Sequence, residues 1–302
     1  MQTDTNLASA VIRAKACLFL ALTLFLGACS PRHLIIQGVA NELSSQSQAE
    51  ENDLTLAREA SAFYLKLSES LLRETPGNLK LAQAVSAGFT QYAYAFVGFE
   101  AEKIESRDAK AAQRLRERAA RLYWRAHRHA MAALEQNQKG FSQALASSSS
   151  ALWPRIQKDQ VAVAYWAAAS WGGFISLSKD NPESVADFPL ALRLARLAWE
   201  QNPNWGEGAL ASLMGSFEVA RPGGQLKQAG LYFDQAIEMG AGRNAGAYVA
   251  KAEGIAQPAG DKVAFEALLR LALTASERQA NLQNEVMRER ALWLLENIDD
   301  LF

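Results

Sequence analysis

Few residues in this chain have the type and spacing that chemistry demands. The histidines are His33, His127 and His129. His127 and His129 stand two apart in a helical stretch, so they point to different sides of it, and no further histidine completes a metal site. Ser176-Leu177-Ser178-Lys179 has the letters of a penicillin-binding nucleophile tetrad, but the Ser-Asp-Asn and Lys-Thr-Gly companions of that chemistry are missing. Gly240-Ala241-Gly242 with Gly246 resembles a loosened dinucleotide fingerprint, yet no strand precedes it and helical hairpins flank it, which makes it an interhelical turn. There is no His-Glu-x-x-His, no phosphate-binding loop and no serine elbow, and the plentiful carboxylates cannot be paired across a cleft from sequence. The reading is therefore no enzyme, no metal and no cofactor.

What remains is a set of aromatics and glycines suited to holding an apolar molecule. Tyr92, Tyr94 and Phe96 lie in a helix expected over 79–102, where Phe89, Tyr92, Phe96 and Phe99 share one stripe and Tyr94 falls off it. Such a stripe is either core packing or the lining of a ligand cavity. A second, strongly apolar helix expected over 161–177 holds Tyr165, Trp166, Trp171, Gly172, Gly173 and Phe174. Glycine inside a helix costs roughly 1 kcal/mol relative to alanine, so the Gly-Gly pair marks a close approach to the backbone, by a neighbouring helix or by a ligand.

These residues need helices to position them, and the chain is built of helical hairpins. Between Leu190 and Gly240, Ala191, Ala195 and Ala198 recur at spacings of four and three, Asn202-Pro203 breaks the chain, and Leu210, Leu213 and Phe217 mark the next helix. Arg221-Pro222-Gly223-Gly224 breaks it again before Ala229, Phe233 and Ala236 repeat the spacing. Ala119, Tyr123 and Ala126 repeat it within 107–136, as do Ala264, Leu268 and Leu271 within 261–274. Leu56, Ala60, Phe63, Leu67 and Leu71 set the helical period over 53–73. The many arginines of 107–136 are expected on a solvated face, paired to Glu117 and its neighbours. Helical hairpins of about 34 residues with an alanine, an aromatic and a proline at fixed offsets are the tetratricopeptide pattern. The predicted fold is all-α: a right-handed helical-hairpin solenoid of tetratricopeptide-like repeats, its exposed end capped by a last helix over 283–297.

The first 28 residues read as an address. Arg13 and Lys15 precede the apolar run from Cys17 to Leu26, too short to span a bilayer, and Leu26-Gly27-Ala28-Cys29 resembles a bacterial lipobox. Cleavage there leaves Cys29 as an acylated N-terminus; the plainer alternative is a secretory signal with a chance cysteine. Residues 29–52 then form anchor and tether, and 53–302 a single helical domain. Two or more acyl chains hold a protein to a membrane stably, and Ser30 after the cysteine favours the outer membrane. The only cysteines are Cys17 and Cys29, so no disulfide or thiolate metal site is available. The segment after 28 keeps 29 basic and 31 acidic residues, a formal charge of −2, and gives no reason to expect nucleic acid.

Several segments together resemble the T-component family of tripartite ATP-independent periplasmic (TRAP) transporters. They are Leu26 to Cys29, Tyr64 to Leu72, Gly88 to Val97, the helix from Tyr165-Trp166 to Ser178, Pro203 with Gly208-Ala209, Phe233 with Ala236, Phe265 with Leu268-Leu269, and Arg290-Ala291 with Leu294-Leu295 and Asp300 to Phe302. The resemblance implies a periplasmic lipoprotein that forms a homotrimer. It also implies an apolar pore through each protomer for a hydrophobic ligand, and association with the substrate-binding P-component. The residues alone leave two functions open: a transport accessory whose aromatics line a channel, or a tethered scaffold whose concave face binds a protein and whose aromatics are core.

Overall fold

The computed structural model describes residues 53–302. The expected signal segment, Cys29 and the tether lie outside the described residues. Among those residues every regular element is helical, and the starts are set locally. Asp53, Asn78, Asp108, Asn244, Asp261 and Asn281 each turn a side-chain oxygen onto a free amide of the first helical turn. The elements are α1 (Leu54–Glu74), α2 (Leu79–Ala93), a π-helical turn (Tyr94–Gly98), α3 (Phe99–Ile104), α4 (Ala109–Asn137), α5 (Phe141–Ala146), α6 (Val161–Ser176), α7 (Pro182–Ala186) and α8 (Phe188–Gln201). Then come α9 (Ala209–Ala220), α10 (Leu226–Met239), α11 (Ala245–Lys251), a second π-helical turn (Ala252–Ala256), α12 (Lys262–Arg278), α13 (Leu282–Glu296) and α14 (Ile298–Leu301).

The helices pack in two alternating rows. α2, α6, α9, α11 and α13 touch in succession, and α4, α8, α10 and α12 each sit against two consecutive members of that row. The small residues make this possible: Ala119, Ala126, Ala191, Ala195, Ala198, Ala229 and Ala236 are all fully buried at the helix contacts. α6 is the most enclosed helix, touching α2, α4, α7, α8 and α9, which is why it can be apolar all round.

The far end does more than cover its neighbour. α13 packs on α12 and α11 and also returns to α1, while Trp293 meets Phe99 edge-on at 5.7 Å and Lys103 Nζ reaches Glu289 at 3.0 Å. The last hairpin is thus joined to the first.

Three expectations from periodicity are corrected. In α12 the buried face is Phe265, Leu269, Ala272 and Ala275, one step round from Ala264, Leu268 and Leu271, and Leu271 is exposed. Both sets have helical spacing, and the neighbours decide between them. In α1 the buried residues are Ala57, Leu65, Ser68, Glu69 and Leu72, leaving Leu56, Phe63, Tyr64 and Leu67 on the surface. On α4, Glu117 takes no arginine; it accepts a hydrogen bond from Gln113 at 3.3 Å.

Candidate functional site

α6 carries the first half of the site. Ala162, Tyr165, Trp166, Ala169, Gly172 and Gly173 are half-buried and fall on one stripe of the helix, while Val161, Val163, Ala164, Ala167, Ala168, Ser170, Trp171 and Ile175 around it are buried. No charged residue interrupts this helix. Tyr165 packs tilted against Trp205 at 4.4 Å and meets Trp166 edge-on at 4.9 Å. Loss of hydration pushes its phenol up to about 12, although part of its surface stays accessible.

The two glycines serve packing. A Cβ on Gly172 would fall 2.5 Å from the ring of Phe217 on α9, and one on Gly173 would fall 2.8 Å from the ring of Tyr123 on α4. The close approach expected of them is made by neighbouring helices. Trp171 is core, 6% exposed and 4.3 Å from the His127 ring. Its indole N–H has no acceptor among the described residues. Phe174 is half-buried and lies off the stripe, 4.9 Å from Trp124.

The second half of the site lies where the chain ends meet. Tyr94 opens the first π-helical turn and Glu253 lies inside the second. Both face Arg290 of α13. Its guanidinium binds Glu253 through Nε and Nη2, at 3.0 and 2.6 Å, and its Nη1 lies 3.1 Å from Glu102 of α3. That last contact is an ion pair without hydrogen-bond alignment, so Nη1 keeps a free donor. The same guanidinium sits 5.5 Å from the Tyr94 ring and 5.4 Å from Phe99. Among the described residues Tyr94 Oη has only the Met287 sulfur, at 4.0 Å.

Burial sets the electrostatics here. It lifts the Tyr94 phenol well above its ordinary value, with Arg290 opposing and Glu253 and Glu102 adding to the rise. Tyr123, packed beside Tyr94, is lifted the same way, first by burial and then by Glu102. Burial and Glu253 raise the Glu102 carboxyl against the pull of Arg290. Burial alone would lower the Arg290 guanidinium, but Tyr94 and the two carboxylates outweigh it and hold the cation charged.

Among the expected residues, Tyr94, Tyr165, Trp166, Gly172 and Gly173 occupy half-buried positions on these helices. Tyr92 is half-buried and Phe96 9% exposed, their rings in edge contact at 5.5 Å. Sequence marked Tyr123 only as a repeat position and Arg290 only as part of a family-like segment, and it gave Glu102 and Glu253 no role. No local pattern could have grouped Arg290, Glu102 and Glu253, because they come from separate helices and meet only through the join.

The histidines part company. His127 Nδ1 donates to the Ala167 carbonyl at 3.0 Å, and burial drives the imidazole down to about 4. His129 Nε2 lies 2.8 Å from Glu69 on α1, and burial lowers it too. Among the described residues no helix is long and apolar enough to cross a membrane, and no group of three or more His, Cys, Asp or Glu is placed to hold a metal.

The chain is similar to an uncharacterized protein of Treponema pallidum (strain Nichols), 25% identical over 267 residues that cover 84% of this chain and 81% of that one. The family model described as TRAP transporter T-component matches residues 50–302. All-helical over its described residues and matched by that family model over most of its length, this chain belongs to the TRAP transporter T-component family, and its role is that of a transporter accessory.

Proposed function

We propose that this protein is a periplasmic lipoprotein, acylated at Cys29 and held to the outer membrane. Its tetratricopeptide-like hairpins, residues 53–302 acting as one domain, would form a closed array around an apolar pore that holds a hydrophobic or amphipathic small molecule. In this reading it works as a homotrimer with the substrate-binding P-component of a TRAP system and has no part in catalysis. The observation that carries the reading is the α6 stripe. An uncharged row of half-buried residues, with Tyr165 held between the rings of Trp166 and Trp205, supports a recess between helices rather than open surface. Small residues at Ala162 and Ala169 keep that stripe free of bulk, and Tyr165 and Trp166 give it aromatic walls. The exposed Leu56, Phe63 and Leu67 of α1 supply an apolar face for protomer contact.

Native mass spectrometry of the protein, alone and with the P-component of a neighbouring TRAP operon, tests this. The expected result is a trimer that carries a small apolar adduct and takes up the partner. Ala169→Phe, which adds bulk at a half-buried position of the stripe, should lose the adduct and keep the trimer. A monomer without adduct or partner would refute the reading. The scaffold alternative draws its support from Trp171, Gly172 and Gly173, whose roles in helix packing need no ligand.

A further inference from the structure

α4 carries arginine at 114, 118, 121, 125 and 128, a four-three-four-three spacing that keeps all five on one face over about 21 Å of helix. Among the described residues only Arg125 of these meets a carboxylate, Glu69. Arg114, Arg118, Arg121 and Arg128 are exposed. The C-terminal half of this ridge borders a cleft of about 390 Å³, walled by Arg73 of α1 with Arg121, Trp124, Arg125 and Arg128, and floored by Glu69 and His129. Trp124 is 37% exposed, its ring held from behind by His127 and Phe174 at 5.1 and 4.9 Å. One face of a chain whose formal charge is −1 is therefore net positive, five arginines against the exposed Glu117 and the buried Glu69.

Such an array is unfavourable in the isolated protein, since like charges at i,i+4 destabilise a helix by a few tenths of a kcal/mol per pair. Five guanidiniums strung along a helix cannot converge on one small anion. They match a row of carboxylates, which the guanidinium fork grips bidentately. A half-exposed tryptophan among arginines is the composition of an interface anchor. A bilayer surface fits less well. A membrane-surface helix buries its apolar side among lipid headgroups, whereas the apolar side of α4, Ala119, Ala126 and Ala130, is spent on α2 and α6.

We propose that the arginine ridge of α4 is the docking face for an acidic helix or extended segment on the substrate-binding component. The assignment rests on the proposed association with that component and says which face makes it. The test uses the full chain in detergent and the P-component of the neighbouring operon. Binding is measured across a salt series for wild type and for the triple variant Arg114→Glu, Arg121→Glu, Arg128→Glu. These side chains are exposed and unpaired, so the variant should keep its helical spectrum and melting temperature. Affinity should fall by about tenfold or more, with a flatter salt dependence. An Arg→Lys triple, which keeps charge but loses the fork, should fall between. Equal binding by wild type and the Glu triple overturns the ridge while leaving the association intact. No binding by wild type overturns the association and the ridge together. Binding to vesicles of mixed neutral and anionic phospholipid that the Glu triple loses, with binding to the component unchanged, overturns the proposal in favour of a bilayer.

Discussion

Replacing Arg290 with methionine should loosen the join between the two ends of the chain. Arg290 is 7% exposed and meets Glu253 and Glu102, with Tyr94 and Phe99 against its guanidinium. Removing one partner of a buried ion pair costs about 3–5 kcal/mol, mostly because the other charge is left stranded. Here the stranded side chains are 28% and 38% exposed, so water recovers part of the loss. Methionine also keeps an apolar stem between the rings. The expected cost is about 2–3 kcal/mol. With an m-value of about 3 kcal/mol/M the urea midpoint falls by roughly 0.7–1 M. Adding Glu102→Gln and Glu253→Gln removes the stranded charges, and the triple variant should regain at least half of the loss. The pH dependence has a definite sign. Glu102 is raised above 4.5 in the folded protein, so between its unfolded and folded values the native state binds more protons, and stability falls as pH rises through that window. Loss of Arg290 lifts Glu102 further, and the deficit of the methionine variant should therefore shrink as the solution is acidified. A midpoint unchanged within about 0.2 M, or a triple variant no better than the single, would refute this account of the join.

Glu69 offers the opposite sign. Burial would raise it, but hydrogen bonds from Arg125, Lys66 and His129 bring it down to about 2 from 4.5. Its stabilisation is therefore present above about pH 4.5 and is lost as pH falls toward 2. The shift corresponds to at most about 3.4 kcal/mol, cut to about 1–2 by solvent because Arg125 and Lys66 are 37% and 58% exposed. Glu69→Gln should melt lower than wild type at pH 7 and nearly with it at pH 2.5; equal melting at pH 7 counts against the cluster. Gly173→Ala gains helix propensity but sets a Cβ 2.8 Å from the Tyr123 ring, for a net loss of about 1–2 kcal/mol. Gly230→Ala on α10 meets nothing within 4 Å and should gain about 0.5–1 kcal/mol by the same propensity. If the two variants shift the urea midpoint in the same direction, close packing is not what keeps Gly173.

Local chemistry made much of the fold legible. The repeat alanines Ala119, Ala126, Ala191, Ala195, Ala198, Ala229 and Ala236 announce helices that must approach closely, and all of them are fully buried. Legibility failed where two faces of one helix are equally apolar. On α12, Ala264, Leu268 and Leu271 compete with Phe265, Leu269 and Ala272, and on α1 the outward stripe is the more hydrophobic one. Periodicity says that a face exists; which one is inside depends on what packs there. The site divides in the same way. Tyr165 and Trp166 stand out in an uncharged helix, but Trp171 reads identically and is core. One turn and a half of helix turns it toward His127 instead of along the stripe.

The join explains why the rest was invisible. Tyr94 and Met287 are 193 positions apart, and Lys103 and Glu289 are 186 apart. No window of sequence spans such pairs. What marks them locally is only that Tyr94 leaves the apolar stripe of α2, and the structure gives the reason. A π-helical turn starts at that residue, and its counterpart, Ala252–Ala256, carries Glu253. Each wide turn rotates the following residues relative to the helix before it, a device concentrated at functional sites. Here both turns bring a polar group to the same guanidinium, which neither straight helix would do. An open array of hairpins has no use for a buried arginine on its last helix. A closed one needs a polar contact that forms only when both ends are in register, and Arg290, paired to two other helices at once, supplies it.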